Sequence, residues 1–220
     1  MQISKAAAEI GGSAMRLVYP LRCPYCDEVL PRYDIACSDC KPKLNKKPLL
    51  RIVHNGCPCV SAYPYMDHYA DAIKRFKFEG RSGYSEQLAA AIIEALCETD
   101  WECAEFVTCV PMYRTRKWAR GYNQAELLAR SCARMLRLPY IDALKKTGDN
   151  PPQHTLIGER VKRENVRNVF RAVNGEALEG RSILIVDDVI TTGSTLGECC
   201  RILSKYTSLI RCATVCSAAV

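Results

Sequence analysis

A chain of 220 residues can hold one full α/β domain and a small appendage. Its 48% apolar and 25% charged shares are ordinary globular values, which excludes wholesale disorder. The formal charge of +7 is moderate, and no run approaches the roughly 20 uninterrupted apolar residues of a membrane helix, so no membrane span is expected.

Residues 1–20 read as a short amphipathic lead-in. Lys5, Glu9 and the pair Gly11-Gly12 interrupt it before any signal-peptide core builds up, so a cytoplasmic protein is expected. Residues 21–60 are irregular and rich in Pro, Cys and Lys, a stretch too poor in core to fold without a staple. Cys23-Pro24-Tyr25-Cys26 and Cys37-Ser38-Asp39-Cys40 are two C-x2-C pairs ten residues apart. Together Cys23, Cys26, Cys37 and Cys40 supply the four thiolates of a closed tetrahedral zinc site, whose metal would be structural because no coordination position stays open. Disulfides are the alternative, disfavoured by the cytoplasmic reading. Cys57-Pro58-Cys59, with His54, could complete a second site or replace a ligand of the first, but it lacks two further partners. Cys97, Cys109, Cys132, Cys212 and Cys216 sit in apolar runs and read as small buried hydrophobes. His68 and His154 are each alone in sequence.

Residues 61–220 change character. Asp67–Lys77 and Tyr84–Cys97 carry apolar residues at helical spacing, with Leu88, Ala91, Ile92 and Ala95 on one face. Phe106–Val110 reads as a strand closed by Pro111, followed by a basic loop over 113–122. Asn123 can cap a helix whose stripe is Leu127, Leu128, Cys132 and Leu136. The polar stretch 145–168 is long for a connection within a compact domain. Ile183–Val186 is the most strand-like run, followed by a helix from about Thr195 to Lys205 and a strand over 210–216. Apolar strands alternating with helices imply a parallel sheet covered on both faces.

Between Tyr113 and Arg171 there are 14 Lys plus Arg against 5 Asp plus Glu, so this window carries more net positive charge than the whole chain. Such a segment suits an anionic partner, and equally a solvated charged surface. The most informative run is Ile183-Leu184-Ile185-Val186-Asp187-Asp188-Val189-Ile190-Thr191-Thr192-Gly193-Ser194-Thr195. A buried strand delivers two carboxylates where open α/β sheets bind ligands. Thr191, Thr192, Ser194 and Thr195 offer hydroxyls, Gly193 permits close backbone approach, and a helix N-terminus stands behind them. A phosphate beside a diol is a ribose 5-phosphate. The spacing of a P-loop NTPase is absent.

The run VDDVITTGST resembles the phosphoribosyl-diphosphate (PRPP) signature of type I phosphoribosyltransferases. The four-cysteine ribbon, VPMYRTRKWARGYNQAELLA and PPQHTLIGERVKRENVRNVF, in that order, resemble the ComF family of competence-associated phosphoribosyltransferase-like proteins over nearly the whole chain. The resemblance implies a type I phosphoribosyltransferase fold with a small N-terminal zinc ribbon. It places Asp187 and Asp188 on the ribose hydroxyls and Thr191–Thr195 on the 5-phosphate, with Arg114, Arg116 and Arg120 as diphosphate clamps. The stretch 145–168 then corresponds to a closing loop that carries Arg160 or Arg163 inward, and Gln153, Arg160 and Asn165 match the family pattern.

Three functions compete. The first is Mg²⁺-dependent phosphoribosyl transfer from PRPP to an acceptor the sequence does not name, a glycosyltransferase reaction linked by the resemblance to DNA uptake in natural transformation. The second is a PRPP or nucleotide sensor without turnover. The third is a single-stranded DNA module of the competence machinery, with Tyr113, Trp118 and Tyr122 available for stacking; those rings could equally pack on their own loop.

Overall fold

The computed structural model describes residues 20–31, 34–45, 47–53, 56–99, 104–148 and 169–218. The longest apolar run dictates its centre. Ile183–Ile190 (β6) is flanked by Phe106–Cys109 (β3) on one side and Ile210–Ser217 (β7) on the other, both parallel to it. Leu184, Ile185 and Val186 have no exposed surface, as a strand covered on both faces requires. Beyond β7 lies Pro58–Pro64 (β2), also parallel, and then Leu49–Ile52 (β1), antiparallel to β2 at the sheet edge. The five-stranded order is therefore β1-β2-β7-β6-β3. A separate antiparallel pair joins Leu144–Lys146 (β4) to Phe170–Ala172 (β5).

The sheet begins at Leu49, inside sequence that reads as irregular, because β2 takes its register from β7 and β1 takes its own from β2. Asp67–Phe78 (α1) and Ser85–Cys97 (α2) follow β2, and α2 bears the expected stripe of Leu88, Ala91, Ile92 and Ala95. The 113–122 segment departs from expectation. Arg114–Arg120 is a short helix (α3), not a loop, with no buried residue, so no apolar stripe announces it. Gln124–Leu136 (α4) starts at Asn123, whose side chain accepts from the Ala125 N–H at 3.2 Å. It ends at Arg137 in the left-handed region. Helices α2 and α4 pack together on one face of the sheet, and Ser194–Leu203 (α5) lies against β6 and β7.

The cysteine ribbon is not a separate bead. Cys23, Tyr25, Leu30, Ala36, Cys37 and Leu44 join the same buried cluster as the sheet and helices. The Tyr25 ring meets Tyr63 of β2 and Tyr69 of α1 edge-on at 6.0 and 5.9 Å, while Tyr63 and Tyr69 stack at 4.4 Å. Gln87 of α2 donates to the Arg22 and Asp34 carbonyls. Arg75 of α1 donates to the Pro24 carbonyl, inside the first C-x2-C knuckle, at 3.0 Å. Among the described residues no helix is long and apolar enough to cross a membrane.

Phe76 of α1 is fully buried between these surfaces. Phe76→Ala should lower unfolding free energy by about 3–5 kcal/mol through lost burial and a residual cavity, read from urea denaturation under reducing conditions.

Candidate functional site

Strand β6 continues through the two carboxylates to Ile190, so Asp187 and Asp188 lie within it, not beyond its end. Successive strand residues face opposite sides of the sheet. Asp188, 7% exposed, meets Lys77 from the last turn of α1, Nζ to Oδ1 at 2.8 Å. Burial alone would push the Lys77 ammonium down, but the Asp188 carboxylate, helped by Asp187, reverses this and its pKa is raised. Asp187 lies toward Cys59 and Cys199, and its Oδ1 accepts the Asp188 backbone N–H at 2.8 Å. Desolvation first, and the Asp188 charge second, push the Asp187 carboxyl up to about 8. The site thus holds one ion-paired carboxylate beside a carboxyl whose surroundings favour its neutral form.

After Ile190 the chain turns through Thr191 and Thr192 to Gly193, the N-cap of α5, at φ +75°. Only glycine takes that conformation without strain. Thr192 Oγ1 and Ser194 Oγ hydrogen-bond each other at 2.8 Å, and Ser194 is buried. The loop therefore brings together Thr191, Thr192, Gly193, Ser194 and Thr195 around the N-terminus of α5, next to Asp187. The two hydroxyls that satisfy one another here are donors an incoming anion can take over.

The arginines divide. Arg120 is half-buried, with Nη1 donating to Gln124 Oε1 at 2.8 Å and its guanidinium 4.9 Å over the Phe78 ring. Burial lowers its pKa while the Asp188 charge opposes that shift, so Arg120 belongs to the carboxylate side of the site. Arg114 is exposed and lines a cavity of about 150 Å³ at the C-terminal end of β3, with Thr108, Lys117, Asn123 and Lys146. Arg116 is half-buried on the same short helix. Arg160 and Arg163, with Gln153, Asn165, His54 and His154, lie outside the described residues. A larger cavity, about 670 Å³, opens between the ribbon and α2 and contains none of these side chains.

The four sulfurs of Cys23, Cys26, Cys37 and Cys40 lie within 4.8 Å of one another, with Cys26 and Cys37 at 3.5 Å. A tetrahedral ion with metal–sulfur bonds of about 2.3 Å needs sulfur separations of roughly 3.8 Å, so the residues fit a metal such as zinc. Burial and the neighbouring thiols push Cys26 up to about 11 and raise Cys40, so four simultaneous thiolates call for a cation. Cys57 and Cys59 are not part of this cluster. The Cys57 thiol hydrogen-bonds with the Cys200 thiol of α5, and Cys59 is fully buried opposite Cys212. Of the cysteines expected to be buried, Cys109, Cys132, Cys212 and Cys216 are, but Cys97 is exposed because the last turn of α2 turns it outward. The His68 ring lies tilted against Tyr69, centroids 4.0 Å apart, and its buried Nε2 has no hydrogen-bond partner.

Residues 120–220 match the model of the phosphoribosyl transferase domain. Competence protein F of Haemophilus influenzae is 31% identical over 189 residues, covering 83% of this chain and 78% of that protein. The chain belongs to the ComF family. A second ComF relative, DNA utilization protein YhgH of Escherichia coli, is 30% identical over 188 residues, with the same two coverages of 83% and 78%. A solved adenine phosphoribosyltransferase aligns over 80% of this chain and 88% of its own at 14% identity and a TM-score of 0.40. The fold is thus of phosphoribosyltransferase type, carrying an N-terminal four-cysteine cluster. Lys77 is the site residue that sequence reading missed, since a lysine in the last turn of a basic helix gives no signal until the fold sets it against Asp188.

The raised Asp187 carboxyl has a sign that can be measured. The unfolded chain ionises an aspartate near 4, so the stability due to the neutral carboxyl is full below about 4 and is lost as pH rises through about 8. Asp187→Asn cannot ionise, so its melting temperature relative to wild type should climb between pH 4.5 and 8.5. A difference that stays constant with pH would show that Asp187 ionises normally.

Proposed function

We propose that this ComF chain binds PRPP with Mg²⁺ and transfers its phosphoribosyl group to an acceptor yet to be identified, in a process linked to DNA uptake. The observation that carries this reading is the position of Asp187 beside the Thr191–Thr195 loop at the head of α5, with Asp188 next to it in β6. The loop N–H groups and hydroxyls take the 5-phosphate, helped by the helix dipole. Asp187, on the loop side of β6, accepts from a ribose hydroxyl, and that contact favours its ionised form against the burial that raises it. Asp188, on the other face of β6, pairs with Lys77 and anchors the cations of that side. Arg114, Arg116 and Arg120 face the diphosphate, and Arg160 and Arg163 are its further candidate partners. Mg²⁺ would neutralise the leaving diphosphate. Asp188 is already engaged by Lys77, so the ion would be held mainly by the ligand's own oxygens. The protein's task is then to orient C1, exclude water and stabilise charge, with no covalent step of its own.

A second reading rests on a different observation. Trp118 is 89% exposed on basic α3, and Phe78 is 65% exposed beside Arg120. Exposed rings interleaved with arginines suit a single strand, with bases stacked and phosphates paired. The relatives named for competence and DNA utilization favour a DNA-linked role for either reading.

Calorimetric titration of PRPP with Mg²⁺ is expected to give saturable binding, weakened roughly 10–100-fold in Asp187→Asn/Asp188→Asn, as loss of hydrogen bonds to charged groups implies. A folded wild type that binds no PRPP would remove the transferase and sensor readings together. Single-stranded DNA binding that falls steeply with salt and weakens in Trp118→Ala would then establish the second. For the ribbon, elemental analysis should find about one zinc per chain in wild type and none in Cys37→Ser, which should also melt lower.

A further inference from the structure

Strand β1 is the short outer edge of the sheet, and its residues alternate in exposure: Leu50 and Ile52 are 68% and 69% exposed, while Leu49 and Arg51 are turned inward. An inward arginine on an edge strand needs acceptors. Arg51 finds them far away in sequence, at the loop beneath the candidate 5-phosphate site. Its Nη1 donates to the Thr191 carbonyl at 2.6 Å and to the Ala218 carbonyl at 3.2 Å, with Ser217 Oγ at 3.4 Å. The Ala218 N–H in turn donates to the Ile190 carbonyl at 2.8 Å. The guanidinium therefore bridges the two chain segments that leave β6 and β7 side by side. From the same hairpin, Val53 underlies Gly193, its side chain 3.5 Å from where a Cβ would stand.

Resting on the ribose-phosphate reading of the site, we propose that Arg51 is a positioning residue for the 5-phosphate: it aims the Thr192 N–H at the ligand by holding the Thr191 carbonyl. The Thr191 carbonyl and the Thr192 N–H belong to one planar trans peptide, in which the two bonds point in opposite directions. A cation that draws the carbonyl to the β1 side turns the N–H to the other side. The charge-assisted bond is stronger than a bond from water would be, and it resists the peptide rotation that would turn the donor away. Arg51 acts through this peptide without touching the phosphate. The hairpin comes from the part of the chain between the cysteine ribbon and α1, so the loop that carries the acidic–threonine motif depends for its geometry on a residue more than a hundred positions upstream.

The test compares wild type, Arg51→Met, Arg51→Gln and Arg51→Lys by calorimetry with ribose 5-phosphate, PRPP and inorganic diphosphate, at a temperature where each variant is shown to be folded by near-ultraviolet circular dichroism. Arg51→Met should weaken ribose 5-phosphate and PRPP about tenfold, the scale of one hydrogen bond to a charged group. Diphosphate, which the arginines of α3 would hold, should bind as in wild type. Arg51→Lys, which keeps a cationic donor for one carbonyl, should recover part of the loss, and Arg51→Gln, a neutral donor kept as a foldable substitute for the Met variant, should recover less. Equal ribose 5-phosphate affinity in all four proteins overturns the inference, as does a parallel loss of diphosphate binding, the mark of general disruption. A wild type that binds neither ribose 5-phosphate nor PRPP removes the ribose-phosphate reading itself, and the inference with it.

Discussion

Two carboxylates side by side in a strand covered on both faces cannot both be charged without compensation, and much of this structure is arranged around that constraint. Strand alternation sends them to opposite faces, so each must be dealt with separately. On one face α1 brings Lys77 into contact with Asp188 at 2.8 Å. On the other, Asp187 remains among Cys59 and Cys199, and burial raises its pKa. The position of α1 is therefore electrostatic as well as apolar: Phe76 fills the core while its neighbour Lys77 meets the charge. Arg120 approaches the same carboxylate from α3, stacked on Phe78 at the end of α1. A ligand with hydroxyls and anionic groups would complete the loop side, because it can donate to Asp187 and accept from the loop donors at once.

The ribbon serves the same core. A small cysteine knuckle has too little apolar surface to stand alone, and here it leans on three tyrosine rings and on donors from both helices that follow β2. Asp27, at the turn of the first knuckle, accepts from Arg81 at 2.6 Å and from the Tyr84 hydroxyl. The ribbon and the sheet thus share a single buried cluster.

What could be read from the sequence follows from where the physics is local. Strand β6 and its loop were legible because continuous β-branched residues, adjacent acids and a glycine-bearing turn are each signals carried by neighbours in sequence. The C-x2-C pairs were legible for the same reason, and the structure gathers all four sulfurs. Asn123 was legible as a cap because capping is a contact two residues long. Helix α3 was not, since seven residues with no buried position have no period to detect. Strand β2 is hidden because its partner is β7, about 150 residues away, and β1 because it rests on β2 alone; Cys57 has no partner nearby because Cys200 lies almost as far along the chain. Lys77 and Arg51 share that cause: both are ordinary basic residues until the topology supplies an aspartate or a carbonyl.

One turn of α1 carries a further consequence. Arg75 and Lys77 are two residues apart, so at 3.6 residues per turn they project roughly 200° from one another around the helix axis. Arg75 is fastened to the Pro24 carbonyl in the cysteine knuckle and Lys77 to Asp188 in the sheet. Two tethers on nearly opposite sides of a cylinder leave it a single allowed azimuth: rotation in either sense lengthens both bonds together. The helix thus behaves as a keyed shaft between the knuckle and the carboxylate, with its angular setting fixed at both ends before any ligand arrives.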